Sequence, residues 1–299
     1  MTEALAYLNG QFLPQSEARL PYYDAGFVLG ATVTDFCRTF RQRLFRWSDH
    51  LTRFRASCEA ARIAQPLTDQ ELTAIADKVL AHNAAPLPAD GELALVVFAT
   101  PGPVGYYGGL PGGASDGPPT LGLHTFPLVP SRFRRLFEEG ARLIVPSVLQ
   151  VPADCVSPRI KQRSRMHWWL AEQEVHDRDP VASALLLDAA GHVTETAGAN
   201  LLIVREGKVL TPPRMGVLPG ISLLTVEELC ADLGVPFAER ALTLADCQSA
   251  DEAMLANTSY CLAGVRTIQG AQVPWPGAIF RRLLAAWEER VGMKLHPVR

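Results

Sequence analysis

Residues 101–119 contain seven glycines and five prolines. Neither helix nor strand survives that density of breakers, because glycine loses the most backbone entropy on ordering and proline removes an N–H and fixes φ. The segment has to be a loop. A loop of that length inside a compact domain is expected to be mobile or functional. Upstream, Tyr7-Leu8-Asn9-Gly10-Gln11-Phe12-Leu13 flanks an Asn-Gly pair with apolar residues, a strong local signal for a hairpin. Leu51, Phe54, Cys58 and Ala61 recur at helical spacing, with Ser48 or Asp49 available as N-cap and Pro66 as a stop. A second helix is expected over 68–82, then a buried strand from Leu93 to Thr100 leading into the loop and a strand from Thr120 to Pro127 leaving it.

Leu128-Val129-Pro130-Ser131 has the character of a linker. The expected division is therefore an N-terminal α+β domain over 1–127, a linker over 128–135 and a C-terminal domain over 136–299. In the second half, Ala184–Asp188, 192–196 and 200–205 form a strand meander turning through Gly191, and a helix follows Lys161. Leu218-Pro219-Gly220-Ile221-Ser222 leads into a helix that Gly234 ends, Glu252–Leu255 is a strand, and a terminal amphipathic helix spans about 277–291.

With 299 residues, a formal net charge of -3 and 48% hydrophobic residues, the chain is long enough for two cores and carries no basic face for a phosphate backbone, so nucleic acid is excluded as a partner. The N-terminus lacks the basic region and apolar run of a signal peptide, and no stretch reaches the roughly 18 apolar residues of a membrane span. These features predict a cytoplasmic protein without a membrane partner. The six cysteines form no C-x-x-C pair, so neither a disulfide framework nor a metal site is expected.

Of the 28 basic residues only Lys78, Lys161, Lys208 and Lys294 are lysines. Lys78 falls on the polar side of a helix, Lys208 in a turn and Lys294 near the end of the chain. Lys161 alone stands at an ordered junction, after Ile160 and before a helical pattern containing Trp168, Trp169 and Leu170.

Around Lys161 the sequence resembles a family. Ile160-Lys161, followed by Thr194-Glu195-Thr196-Ala197-Gly198-Ala199-Asn200, is similar to the lysine and "T-E-x-x-x-x-N" strand of class IV aminotransferases, the group of branched-chain and D-amino-acid transaminases and aminodeoxychorismate lyase. Leu218-Pro219-Gly220-Ile221-Ser222 resembles that family's "L-P-G-I-T" turn, Ala250–Ser259 its "A-D-E-x-F-x-x-x-T" segment, and His50-Leu51-Thr52-Arg53-Phe54 its "H-L-x-R-L" helix. The matches occur in family order along nearly the whole chain. The resemblance implies an α+β fold of type IV, with a smaller N-terminal α/β sandwich domain, a larger barrel-like C-terminal domain and pyridoxal 5'-phosphate in the cleft between them. It also implies a homodimer with a partner loop at each site, acting on an amino acid and a keto acid. Lys161 would carry the cofactor as a Schiff base and move the substrate proton. Glu195 would face the ring nitrogen and keep it protonated. Arg53, the N–H groups of Ile221 and Ser222, the Ser222 hydroxyl and Thr258 would hold the phosphate, and the turn amides of Thr258 and Ser259 would face the substrate carboxylate.

Several family positions differ. Leu29 and Thr34 stand where aromatic residues often line the substrate pocket, the "R-G" after the Leu93–Phe98 strand reads Thr100-Pro101-Gly102, and Met166 replaces a tyrosine. Two arginines, Arg163 and Arg165, follow the lysine. On a helix beginning at Lys161, Arg165 would share the lysine's face and Arg163 would point away, making Arg165 the candidate for a second substrate carboxylate, unless both pair with acids such as Glu172 or Asp188. The expected activity is transamination. The alternatives are a carbon–heteroatom lyase of the aminodeoxychorismate type, using the same cofactor, and a non-catalytic binding module.

Overall fold

The computed structural model describes residues 3–109 and 117–296. It divides into two compact units, Met1–Leu128 with Ile160–Ser164, and Val129–Arg159 with Arg165–Arg299. The expected second range of 136–299 is thus interrupted, because the residues around Lys161 join the first unit. The middle of the expected 101–119 loop lies outside the described residues, as do Met1 and Thr2.

The first unit holds β1 (Leu5–Leu8), β2 (Gln11–Pro14), α1 (Ala25–Val28), β3 (Val33–Phe40), β4 (Arg43–Leu44), α2 (Trp47–Ala60), α3 (Asp69–Ala84), β5 (Glu92–Thr100) and β6 (Thr120–Leu128). Its six strands form an antiparallel sheet in the order β2-β1-β6-β5-β3-β4. Asn9 and Gly10 take φ of 47° and 90°, the paired left-handed conformation that a tight hairpin requires. Strand alternation sends Val33, Leu95, Val97, Leu121 and Leu123 to one face, where they pack with Leu51, Phe54 and Cys58 of α2 and Leu72, Ala76 and Val79 of α3. Thr68 and Glu71 close a capping box on α3. The α2 cap differs from expectation. Arg46, in a left-handed conformation, precedes the helix, and Asp49 lies in its first turn, paired to Arg46 at 2.6 Å.

At the start of β3, where β4 does not reach, the chain adds a further extended piece. Thr34 N–H donates to Lys161 O at 2.8 Å, Arg163 N–H donates to Thr32 O at 2.9 Å, and Val33 and Gln162 form an antiparallel bridge. This pairing draws residues 160–164 into the first unit.

The second unit contains α4 (Arg134–Glu139), β7 (Ala141–Ile144), α5 (Met166–His176), β8 (Ser183–Leu187), β9 (His192–Thr196), β10 (Asn200–Arg205), β11 (Lys208–Thr211), α6 (Ile221–Asp232), β12 (Phe237–Glu239), β13 (Leu242–Thr243), α7 (Leu244–Gln248), β14 (Glu252–Asn257), β15 (Cys261–Ile268), β16 (Ala271–Gln272) and α8 (Ala278–Val291). The strands β10-β14-β15-β7-β8-β9 return to β10 and close a ring, with the last step made by the pair Asn200–Glu195. Leu143, Leu185, Leu201, Ile203, Leu255 and Val265 belong to one buried cluster of this ring. The alternate residues Ala184 and Leu186 face the other way and pack with Trp168, Ala171 and Val175 of α5. The class is α+β with a barrel-like second unit. No helix among the described residues is long and apolar enough to cross a membrane.

Candidate active site

Lys161 sits on the extended segment added to β3. Ile160 packs against the core of the first unit, so alternation puts Gln162 on that side and Lys161 with Arg163 on the other. The Lys161 N–H donates to Ser57 Oγ of α2 at 3.2 Å. Because α5 begins only at Met166, Lys161 is not helical, and the face-sharing expected for Arg165 belongs instead to Arg163. Extended backbone repeats every two residues, and the helical rule of four does not apply.

Arg53 is also in the first unit, buried on α2. Its Nε donates to Asp35 Oδ2 and its Nη2 to Asp35 Oδ1, both at 2.8 Å, a two-pronged grip that fixes the plane of the guanidinium. Asp35, fully buried in β3, also accepts from His50 Nδ1 at 2.8 Å. The tautomer follows from the carboxylate being an acceptor only. Burial by itself would raise the Asp35 carboxyl, but the adjacent Arg53 guanidinium, then His50, hold it well below the ordinary range. Burial lowers His50, against the pull of its hydrogen bond to Asp35.

The second unit holds the other expected residues. Glu195, buried at the end of β9, accepts from Leu218 N–H at 3.1 and 3.2 Å and from Asn200 Nδ2 at 3.1 Å. The same Asn200 amide donates to Leu218 O at 2.9 Å. One side chain therefore ties the barrel closure to the segment that enters α6. Gly220, the N-cap of α6, provides no side-chain cap for the helix. A Cβ there would come within 2.0 Å of Asn200 Oδ1, so this position admits only glycine while Asn200 keeps its place. Ile221 and Ser222 follow, both buried, in the first turn of α6.

Thr258 and Ser259 lie in the turn between β14 and β15. Asn257 organises that turn, accepting from Ser259 N–H at 2.6 Å while its amide donates to Gly198 O. Arg165 donates to Ala197 O, so the turn joining β9 to β10 is held through two consecutive carbonyls. Burial lowers the Arg165 guanidinium, while the Glu195 charge and then that of Glu172 act to raise it. The second unit thus brings Glu195, Ile221, Ser222, Thr258 and Ser259 to one hydrogen-bonded end of its barrel. Lys161 and Arg53 belong to the first unit. Sequence reasoning assigns no role to Asp35 or Asn257, and names His50 and Asn200 only as members of the His50–Phe54 and Thr194–Asn200 motifs. The visible signal for Asp35 is an acid inside an apolar strand, and for Asn200 its place in the Thr194–Asn200 motif.

A family model described as amino-transferase class IV matches residues 32–268. A putative branched-chain-amino-acid aminotransferase of Methanocaldococcus jannaschii is 30% identical over 265 residues, 88% of each chain. A D-alanine aminotransferase of Staphylococcus epidermidis is 23% identical over 95% of this chain and 97% of its own. The branched-chain aminotransferase of Thermoproteus uzoniensis, solved with norvaline, superposes with a TM-score of 0.85 at 23% identity, covering 97% of this chain and 96% of its own. A branched-chain amino acid aminotransferase from T.th., solved with pyridoxamine 5'-phosphate, gives 0.84 at 24% identity over 97% and 95%. The chain belongs to the class IV aminotransferases. It is a transaminase that uses pyridoxal 5'-phosphate, and no finding favours the lyase alternative.

Proposed function

We propose that Lys161, Glu195, Arg53, Ile221, Ser222, Thr258 and Ser259 perform a transamination between an amino acid and a 2-keto acid, with roles that follow from how each is held. The observation that carries this reading is the Asn200 anchor. It sets a buried carboxylate beside an uncapped helix N-terminus whose N-cap has no room for a side chain. Those two features suit the two ends of pyridoxal 5'-phosphate, a protonated ring nitrogen and a phosphate, so the donor set fits the cofactor.

When bound, the cofactor supplies an aldehyde that takes up the amino group and a ring that withdraws the electrons left as the substrate C–H breaks. Lys161 would hold the cofactor through its aldehyde, and its Nζ would accept the proton that leaves the substrate Cα. The Glu195 carboxylate places negative charge where a ring N–H is to be kept. The N–H groups of Ile221 and Ser222, the Ser222 hydroxyl and the Thr258 hydroxyl receive the phosphate, using the positive end of α6. Arg53 adds its charge to the same phosphate in an orientation that Asp35 fixes. The amides of Thr258 and Ser259 receive the substrate carboxylate. We also read the protein as cytoplasmic and as a homodimer, the latter testable by light scattering on purified material.

The test has two steps. Borohydride reduction of the purified holoenzyme followed by peptide mapping should place the adduct on Lys161, and an adduct on Lys78, Lys208 or Lys294 would overturn the assignment. On a separate, unreduced sample, adding single amino acids should convert the absorption of the aldehyde form to that of the amine form. Absence of that conversion would argue against these residues as the set that performs the reaction.

A further inference from the structure

The face of the first sheet turned away from α2 and α3 carries a second set of polar groups. Thr34, Phe98 and Gly122 lie in one row across β3, β5 and β6, and His124 follows two residues beyond Gly122 on the same face. The Phe98 ring lies over Gly122, where a Cβ would meet its Cε1 at 2.4 Å. Its centroid is 6.5 Å from that of His124. With Phe98 drawn towards β6, the place above the short Thr34 side chain is taken by Arg163, whose Nη2 lies 3.5 Å from Thr34 Oγ1. Thr34 donates its hydroxyl proton to Val97 O at 3.0 Å, so towards Arg163 the hydroxyl acts as an acceptor and helps aim the guanidinium. His124 Nδ1 is buried with no hydrogen-bond partner of good geometry, although the Thr125 backbone lies near enough to act on the ring. Burial lowers the imidazole and the Arg163 charge lowers it further, so Arg163 supplies the positive charge of this cluster.

We infer that Arg163, oriented by Thr34 and flanked by His124, receives the distal carboxylate of a dicarboxylic substrate. The inference rests on the reading that Lys161 meets the substrate at its Cα. Lys161 and Arg163 are two residues apart on one side of an extended segment, which separates their Cα atoms by roughly 6.5–7 Å. A substrate presented to Lys161 therefore meets Arg163 a few bonds further along, the reach of a five-carbon dicarboxylate. Arg163 is one of the two arginines that set this chain apart from its family pattern, and the short Thr34 is another departure. The geometry joins them into a single feature. Arg165, capping Ala197 O in the second unit, has a positioning task instead.

The test uses the holoenzyme and two probes of equal length that lack an amino group, glutarate and pentanoate, with dissociation constants measured by calorimetry. Wild type should favour glutarate, and Arg163→Met should lower the glutarate-to-pentanoate affinity ratio by about 10- to 100-fold, the range of a charge-assisted pair. Arg163→Lys should restore part of that ratio and Arg165→Met should leave it unchanged. An unaltered ratio in Arg163→Met, an equal loss for both acids, or a selective loss in Arg165→Met would overturn the inference. Failure of the broader reading looks different: a borohydride adduct away from Lys161 removes that reading whatever the ratio does.

Discussion

The two units secure their expected site residues by opposite means. In the first, Arg53 is held by full charges, a buried carboxylate gripping a buried guanidinium with a neutral imidazole alongside. In the second, Glu195 and the entrance to α6 are held by a neutral side-chain amide and backbone N–H groups, and the β14–β15 turn by another amide, Asn257. A buried ion pair is costly to break because the surviving charge has lost its hydration. An amide anchor loses only hydrogen bonds. The first unit should therefore answer strongly to removal of one partner and more weakly to pH, and the second to neither in the same degree.

The largest expected effect follows directly. Asp35→Asn removes the carboxylate that grips the buried Arg53, and unfolding in denaturant should show a loss of about 3–5 kcal/mol. The double variant Asp35→Leu with Arg53→Met should recover much of that loss, since both charges are then removed together. If the double variant were as unstable as the sum of Asp35→Leu and Arg53→Met made singly, the pair would not act as a unit. Cofactor retention on dialysis sharpens the contrast further. Arg53→Met should release cofactor more readily than Ser222→Ala, because it removes a full opposite charge from the phosphate whereas Ser222→Ala keeps its backbone N–H there, and a contact to a charged group is worth roughly 1.5–3 kcal/mol. Equal retention in the two variants would argue that the phosphate is held without Arg53.

A smaller effect is expected in the second unit. Asn200→Ala deletes two donated hydrogen bonds and leaves the Leu218 carbonyl and Glu195 with one donor fewer, a cost of about 1–3 kcal/mol. It also removes the atom that forbids a side chain at position 220. Gly220→Ala should accordingly be harmful in wild type and better tolerated in the Asn200→Ala background, a non-additivity measurable as a double-mutant cycle of melting temperatures. Additive losses would show that Gly220 is required for another reason.

Much of this contrast is hidden from the sequence, and the reasons are physical. The hairpin at Asn9-Gly10, α3 and the strands β5, β6, β8, β9 and β10 follow local rules of alternation and turn chemistry. The strands β7 and β15 do not. Within β15, Gly264 weakens the strand pattern, yet it is there because the Trp275 ring lies 2.2 Å from where its Cβ would be. The Asn200 and Asn257 anchors are likewise tertiary: which amide reaches which carbonyl is set by the closure of the barrel, and spacing along the chain does not reveal it. The Lys161 segment shows the limit most sharply. A helical pattern begins nearby, at Met166, and extending it five residues backwards assigns the wrong arginine to the lysine's face. The pairing of residues 161–163 with β3 is a long-range event, and it reverses the local reading.

The smallest predicted effect separates the units by pH. Burial lowers the folded-state pKa of His50, so between that value and the unfolded value of about 6.5 the unfolded chain binds the extra proton and stability rises with pH. The His50 contribution is therefore complete above about pH 6.5 and is lost as pH falls through the folded value. Asp35, whose folded pKa is depressed by Arg53 against the opposing effect of burial, contributes in full above its unfolded value of about 3.9 and loses its share only below that. The two windows do not overlap near pH 5–6.5. His50→Asn retains a donor for Asp35 but cannot titrate, so stability measured from pH 6.5 to 5 should fall less steeply than in wild type. The difference in slope is at most about 1.4 kcal/mol per pH unit, the limit for one proton. His124, His167 and His296 are lowered by burial as well and leave a residual slope in both proteins. Asn200→Ala, which removes no titrating group, should shift the whole curve down without changing its slope. A flattened slope in Asn200→Ala, or an unchanged one in His50→Asn, would break the distinction between a charged anchor in the first unit and a neutral one in the second.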